Sequence, residues 1–225
     1  MKDRFHNRMI ALLLTLLFCV SLAPRASAEG IGDYLDLDPH AWYEQGVRYC
    51  LERGVMSGYG TANRYFNPSG LVTRAELATI IWRMEGAPTT GTSLRFDDVE
   101  EGAWYEEAVR WILLTGIMET KTPSVFETKR PVTRDQFAMV LWRYADYRNG
   151  FVPKIDDPEF ETYDDGDKVS PEALEAMRWA CALGIFTAVT DSTDGRYVIS
   201  PWAPVRRAAA ATILMRFSLD MGIYD

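Results

Sequence analysis

Leu77, Ile80, Ile81 and Met84 fall at positions i, i+3, i+4 and i+7. The same spacing returns at Phe137, Val140, Leu141 and Tyr144, and again at Ala210, Ile213, Leu214 and Phe217. Each set predicts a helix with one apolar face, and each follows a related pentapeptide. The three are Val72-Thr73-Arg74-Ala75-Glu76, Val132-Thr133-Arg134-Asp135-Gln136 and Val205-Arg206-Arg207-Ala208-Ala209. In the first, Thr73 reads as an N-cap whose hydroxyl accepts the backbone N–H of Glu76, while the Glu76 carboxylate reaches back to the N–H of Thr73. Gln136 suits the same exchange with Thr133. Ala209 does not, so the third helix starts on weaker terms.

A second apolar series precedes each of these helices. The first runs from about Ala41 to Arg53, turns Trp42, Val47 and Cys50 inward and stops at Gly54. Its counterparts carry Trp104, Val109 and Trp111 to the stop Gly116, and Leu174, Met177, Trp179 and Cys181 to the stop Gly184. The last begins at Ser170-Pro171, an N-cap followed by proline at the first helical position. Turn residues separate the two helices of a unit, as in Gly58-Tyr59-Gly60 and Phe66-Asn67-Pro68-Ser69-Gly70. Aligned on the pentapeptide arginine, Phe126 and Ile199 take the place of Phe66, and Pro201 that of Pro68. Residues 29–87, 95–146 and 157–219 are therefore three helix-loop-helix repeats of an all-α protein. The connector over 86–93 and the acidic stretch 156–167 are loop-like in composition, and the second is long enough to include a structured excursion.

The recurring arginine is the odd choice. A cation in the first helical turn opposes the helix dipole and costs roughly 0.3–1 kcal/mol. Two readings account for Arg74, Arg134 and Arg207. In one, the guanidinium and free helix N–H groups converge on a carboxylate or phosphate. In the other, each arginine forms an internal salt bridge to a nearby aspartate.

Composition narrows the setting. Residues 1–28 join a basic start (Lys2, Arg4, Arg8) to an apolar run from Met9 to Leu22 and to Ala26-Ser27-Ala28, the pattern of a secretory signal peptide cut after Ala28. Its removal takes away four basic residues and one acid and moves the net charge from −8 to −11. An acidic surface argues against nucleic acid and against polybasic membrane attachment. No later stretch is apolar enough to span a bilayer, so no membrane insertion is expected after cleavage. Cys50 and Cys181 are expected as buried free thiols on helices.

Chemistry-bearing patterns are sparse. The pairs Asp97-Asp98, Asp156-Asp157 and Asp164-Asp165 are adjacent in sequence and lie in turns, where aspartate caps helices and bonds its own backbone. A glycosidase needs carboxylates facing each other across a cleft. No EF-hand spacing is present, His40 stands alone outside the signal segment, and no nucleotide-binding glycine motif occurs. No catalytic residue, cofactor or metal site is expected.

An aromatic-x-Asp opening, a tryptophan, a helix ending in Gly-Val or Gly-Ile, a Phe-x-Pro turn and Val-Thr-Arg-Ala-Glu together resemble the S-layer homology (SLH) domain. The likeness spans nearly the whole chain after the signal segment, strongest in the first unit and weakest in the third. It implies a pseudo-threefold bundle with a central three-helix core, one helix from each unit, and ligand grooves between neighbouring units. It implies binding to a secondary cell wall polymer, an anionic glycan often carrying pyruvate ketals, and a place at the cell wall or cell surface. Carried over by position, the glycan-binding residues are Arg74, Asp36, Trp42 and Gly58 in unit one, Arg134, Asp98 and Trp104 in unit two, and Arg207 in unit three. Thr120 and Ala188 stand at the Gly58 position, and Glu172 at the tryptophan position of unit three, so the resemblance centres the site on unit one. The alternative is an SLH-like module that has lost the glycan and docks another envelope protein or itself. Under either reading the chain is expected to be an anchor alone or one that carries its cargo as a bound partner.

Overall fold

The computed structural model describes residues 30–59, 64–120, 122–155, 157–190 and 194–223. The signal segment expected over 1–28, together with Gly60 and Asp156, lies outside them. Six α-helices are formed among the described residues: α1 (Glu44–Glu52), α2 (Arg74–Met84), α3 (Glu106–Leu114), α4 (Arg134–Asn149), α5 (Leu174–Ala182) and α6 (Arg207–Asp220). Among the described residues, the strands are a short antiparallel pair in the third unit. It joins β1 (Val189–Thr190) to β2 (Tyr197–Val198), with Val189 opposite Val198 and Thr190 opposite Tyr197.

The first helix of each unit starts later than the periodicity suggests. α1 begins at Glu44, after a turn over Ala41–Tyr43, and α5 begins at Leu174, after a 3-10 turn over Pro171–Ala173. The consequence for Trp42 is a correction. It stands in the turn and not on the buried face of α1, so it is 71% exposed, while Val47 and Cys50 are fully buried. The acidic connector is likewise not a plain loop. It contains 3-10 turns at Pro158–Thr162 and Gly166–Lys168, and it plugs Phe160 into the core.

The sequence repeat is not the packing unit. α2 packs on α3, α4 on α5 and α6 on α1, so the second helix of each unit lies against the first helix of the next and the last contact returns to unit one. The segments before the motif helices close the same ring through backbone hydrogen bonds. Val72 N–H donates to the Val205 carbonyl, Val205 N–H to Val132, and Val132 N–H to Val72, each at 2.9 Å. All three valines are buried, so these bonds are shielded from water. The motif helices α4 and α6, and the end of α2, touch through long side chains. Tyr144 packs on Phe217 with ring centroids 6.0 Å apart, and its hydroxyl donates to Glu85 Oε2 at 2.9 Å.

One seam is closer than the others. A β-carbon on Gly46 would lie 2.6 Å from the Thr212 α-carbon, so only glycine lets α1 approach α6 this nearly. Ala108 and Ala176 hold the matching positions of α3 and α5. Beside Gly46, the Cys50 thiol points at the Ala211 carbonyl, 3.6 Å away. Cys50 and Cys181 are both free and buried, and burial pushes each thiol up to about 12. Among the described residues, no helix is long and apolar enough to cross a membrane.

Candidate functional site: grooves between the repeats

The loop linking the two helices of each unit is held from two sides. From within the unit, an aspartate carboxylate receives its backbone N–H groups. Asp36 takes those of Phe66 (2.8 Å) and Asn67 (2.6 Å), Asp98 those of Phe126 (2.8 Å) and Thr128 (2.7 Å), and Asp165 those of Ile199 (2.9 Å) and Ser200 (2.8 Å). Burial raises the Asp98 carboxyl, but the bonds from Thr128 and Phe126 outweigh it and hold the group below the ordinary aspartate value. The loop turns sharply here, and Asn67, Glu127 and Ser200 all adopt positive φ at matching places. The pinned residues Phe66, Phe126 and Ile199 are fully buried.

From outside the unit, the motif arginine of the preceding unit grips the same loop. Arg74 donates through Nε to the Phe126 carbonyl (2.8 Å) and through Nη2 to Glu119 (2.7 Å). Arg134 reaches Ile199 (2.7 Å) and Thr187 (3.1 Å) in the same way, and Arg207 reaches Phe66 (2.8 Å) and Ser57 (2.7 Å). Each guanidinium also lies over an aromatic ring: Arg74 over Phe126, Arg134 over Phe186, and Arg207 over Phe66 and Tyr59. Burial lowers the Arg74 and Arg134 values, though a guanidinium stays charged at any ordinary pH. The partners common to all three are thus backbone carbonyls, which neither sequence reading named, and Arg207 alone adds an internal salt bridge, to Glu76 and not to an aspartate.

The first N–H groups of the motif helices are occupied as well. Arg74 N–H donates to the Arg130 carbonyl and Ala75 N–H to Thr128, with the same pair of bonds at Arg134 and Asp135 and at Arg207 and Ala208. At Thr73 the capping exchange is complete: Glu76 N–H donates to Thr73 Oγ1 (3.3 Å) and Thr73 N–H to Glu76 Oε2 (2.8 Å). At Thr133 only the return bond forms, to Gln136 Oε1 (3.3 Å). The Gln136 N–H is taken instead by Asp135, whose second oxygen holds the Ser170 hydroxyl at the start of unit three.

These contacts frame two related grooves. Groove one, about 320 Å³, is lined by Ser57, Gly58, Tyr59, Glu76, Ile80 and Arg83 of unit one, Trp104 of unit two and Arg207 of unit three. Glu76 is its hub. Beyond its capping role it accepts the Tyr59 hydroxyl and Arg207 Nη1 (3.2 Å), with 11% of its side chain exposed against 5% for Arg207. Burial, then the bond to Glu76, pushes the Tyr59 phenol up to about 12. Groove two, about 180 Å³, is lined by Glu119, Thr120, Glu127, Arg130, Gln136, Met139 and Arg143 of unit two and by Arg74 of unit one.

The residues read from sequence are therefore regrouped. Gly58 shares a groove with Trp104 and Arg207, whereas Arg74 faces Thr120 in the other. Asp36 and Asp98 have both carboxylate oxygens engaged by loop N–H groups, and Trp42 and Trp104 stand out at 71% and 59% exposure. Arg134 clamps the unit-three loop. Glu76, Tyr59, Arg83 and Arg143 went unrecognised as groove residues. The signal was present, because Glu76 and Arg83 lie two helical turns apart on one face, but the apolar spacing drew attention to the adjoining stripe of Leu77, Ile81 and Met84. Among the described residues, no cluster of three or more histidine, cysteine or acidic side chains could hold a metal ion.

Comparison with known proteins gives the threefold repeat an independent reading. The chain is 26% identical over 196 residues to a surface-layer 125 kDa protein of Lysinibacillus sphaericus, covering 87% of this chain and 16% of that protein. It is 26% identical over 198 residues to an endoglucanase of a Bacillus species, covering 85% of this chain and 20% of the enzyme. It is 23% identical over 161 residues to a cellulosome-anchoring protein of Acetivibrio thermocellus, covering 70% and 34%. This chain thus spans between 16% and 34% of the length of these relatives. The model of the S-layer homology domain family matches residues 33–78, 95–138 and 162–211, one match for each unit, and the chain belongs to that family.

Proposed function

We propose that this chain anchors non-covalently to a cell envelope by binding an anionic wall glycan in the grooves between its repeats, and that its place is the cell surface. The observation that carries the reading is groove one, where all three units converge on one cleft. A glycine leaves room for close approach, an exposed tryptophan offers a face to a sugar ring, and arginines supply positive charge on an otherwise acidic chain. The net charge makes capture local and short-range, since the overall field repels an anion. The names of the relatives support surface attachment. The endoglucanase is matched over only 20% of its length, so its activity is not carried over to this chain, which we read as a binding module and not an enzyme.

In this reading Gly58 and Trp104 meet the sugar, Arg207 and Arg74 hold the loops of grooves one and two in shape, and Arg134 holds the loop of unit three. Asp36 and Asp98 set the same loops from the other side, and Trp42 is a further stacking surface. The test is cosedimentation of the purified chain with sacculi of its host, intact or stripped of wall polymer, with Trp104→Ala alongside. Trp104 is exposed, so its loss leaves the core intact. Sedimentation that needs the polymer and falls severalfold in Trp104→Ala is expected. Wild-type protein that stays in the supernatant overturns the glycan reading in favour of a protein-docking module.

A further inference from the structure

We propose that Arg83, and not the buried motif arginine Arg207, is the side chain that holds the acidic group of the glycan in groove one. This rests on the glycan reading above. An incoming carboxylate needs a guanidinium with donors and charge to spare. Arg207 has neither: its side chain is 5% exposed, Nε and Nη2 are bonded to the Phe66 and Ser57 carbonyls, and Nη1 is paired with Glu76. A carboxylate arriving there would compete with Glu76, which the capping box and the Tyr59 hydroxyl hold in place.

Arg83 projects from the same face of α2, two turns further along, into the same groove. It is half-buried, and the bond in which it takes part runs from Nη1 to Ser57 Oγ at 3.5 Å, the outer limit of hydrogen bonding. Burial and the neighbouring positive charge of Arg207 both work against its own charge. An incoming carboxylate offsets both effects, and the planar guanidinium can meet it with two parallel N–H bonds. The equivalent residue of unit two is not open in this way, because Arg143 is paired with Glu119 at 3.2 Å. In unit three Arg216 repeats the loose bond of Arg83, reaching Thr187 Oγ1 at 3.5 Å. Trp104 singles out groove one, since it places a stacking surface beside the open cation.

The experiment is calorimetric titration of the full chain with two probes: a methyl hexoside bearing a pyruvate ketal, and the neutral methyl ester of that ketal. The wild-type chain binds the acid more tightly than the ester. Arg83→Ala loses about ten- to a hundredfold in affinity for the acid, with the ester and the urea midpoint unmoved. Arg83→Lys, which keeps the charge but not the fork, retains part of the preference. An Arg83→Ala variant that still prefers the acid overturns the assignment. A wild-type chain that binds acid and ester equally overturns it too while leaving the glycan reading in place, and one that binds neither overturns both.

Discussion

Grooves one and two are assembled from the same repeated parts, yet their charges are placed in opposite ways. In groove one the acid sits inside, where Glu76 neutralises the motif arginine Arg207 and leaves Arg83 open. In groove two the neutral Gln136 takes the place of Glu76, and the acid stands at the rim, where Glu119 pairs with Arg143. Trp104 lines the first groove and no tryptophan lines the second. A repeated arginine therefore does not make a repeated site. Which arginine can meet a ligand depends on where the nearest acid lies.

The largest difference should appear when the motif arginines are removed. Arg207→Ala leaves the Glu76 carboxylate buried without its cation and strips two bonds from the unit-one loop, which should cost about 3–5 kcal/mol. Arg74→Ala removes two carbonyl bonds from a half-buried side chain that no carboxylate pairs with among the described residues. It should cost about 1–3 kcal/mol. Urea unfolding of the two variants measures both. Equal losses would mean that the Glu76 pair adds nothing to groove one.

That contrast also marks how far the sequence could be read. The helices follow from apolar spacing, and the capping exchange from the Thr73 and Glu76 side chains themselves. The destination of the arginines was hidden because their partners are carbonyls 52, 65 and 141 positions away, and a carbonyl carries no residue signature. The packing order was hidden for a related reason. An apolar helix face shows that something covers it but not which helix does, and here the covering helix belongs to the neighbouring unit. Trp42 misled because hydrophobicity alone placed it on a helix that begins two residues later. Its exposure and that of Trp104 are what make them stacking candidates.

A smaller effect should follow from disturbing the seam beneath one groove alone. Gly46→Ala puts a β-carbon 2.6 Å from the backbone of α6, which forces α1 and α6 apart. Overpacking of this kind costs about 1–3 kcal/mol. Because Ser57 follows α1 and Arg207 opens α6, the same shift should lengthen the Arg207–Ser57 bond of groove one and leave Arg74–Glu119 in groove two unchanged. Thermal unfolding reports the cost, and the arginine Nε resonances report the selectivity. A uniform shift of both arginines would mean that the ring of repeats transmits the strain and the grooves are not independent.

The smallest change should be the most informative about binding. Glu119 is 72% exposed and its pair with Arg143 lies at the surface, where such pairs contribute about 0–1 kcal/mol. Glu119→Gln should therefore leave the unfolding midpoint almost where it was. It should also release Arg143 into groove two, giving that groove the open cation that Arg83 provides in groove one. The Glu119 carbonyl that accepts from Arg74 is untouched, so the loop keeps its shape. Affinity for the acidic ketal should rise a fewfold while affinity for its methyl ester stays constant. If the acid gains nothing, an open arginine is insufficient without a stacking tryptophan beside it, and the difference between the grooves lies in Trp104 more than in the placement of charge.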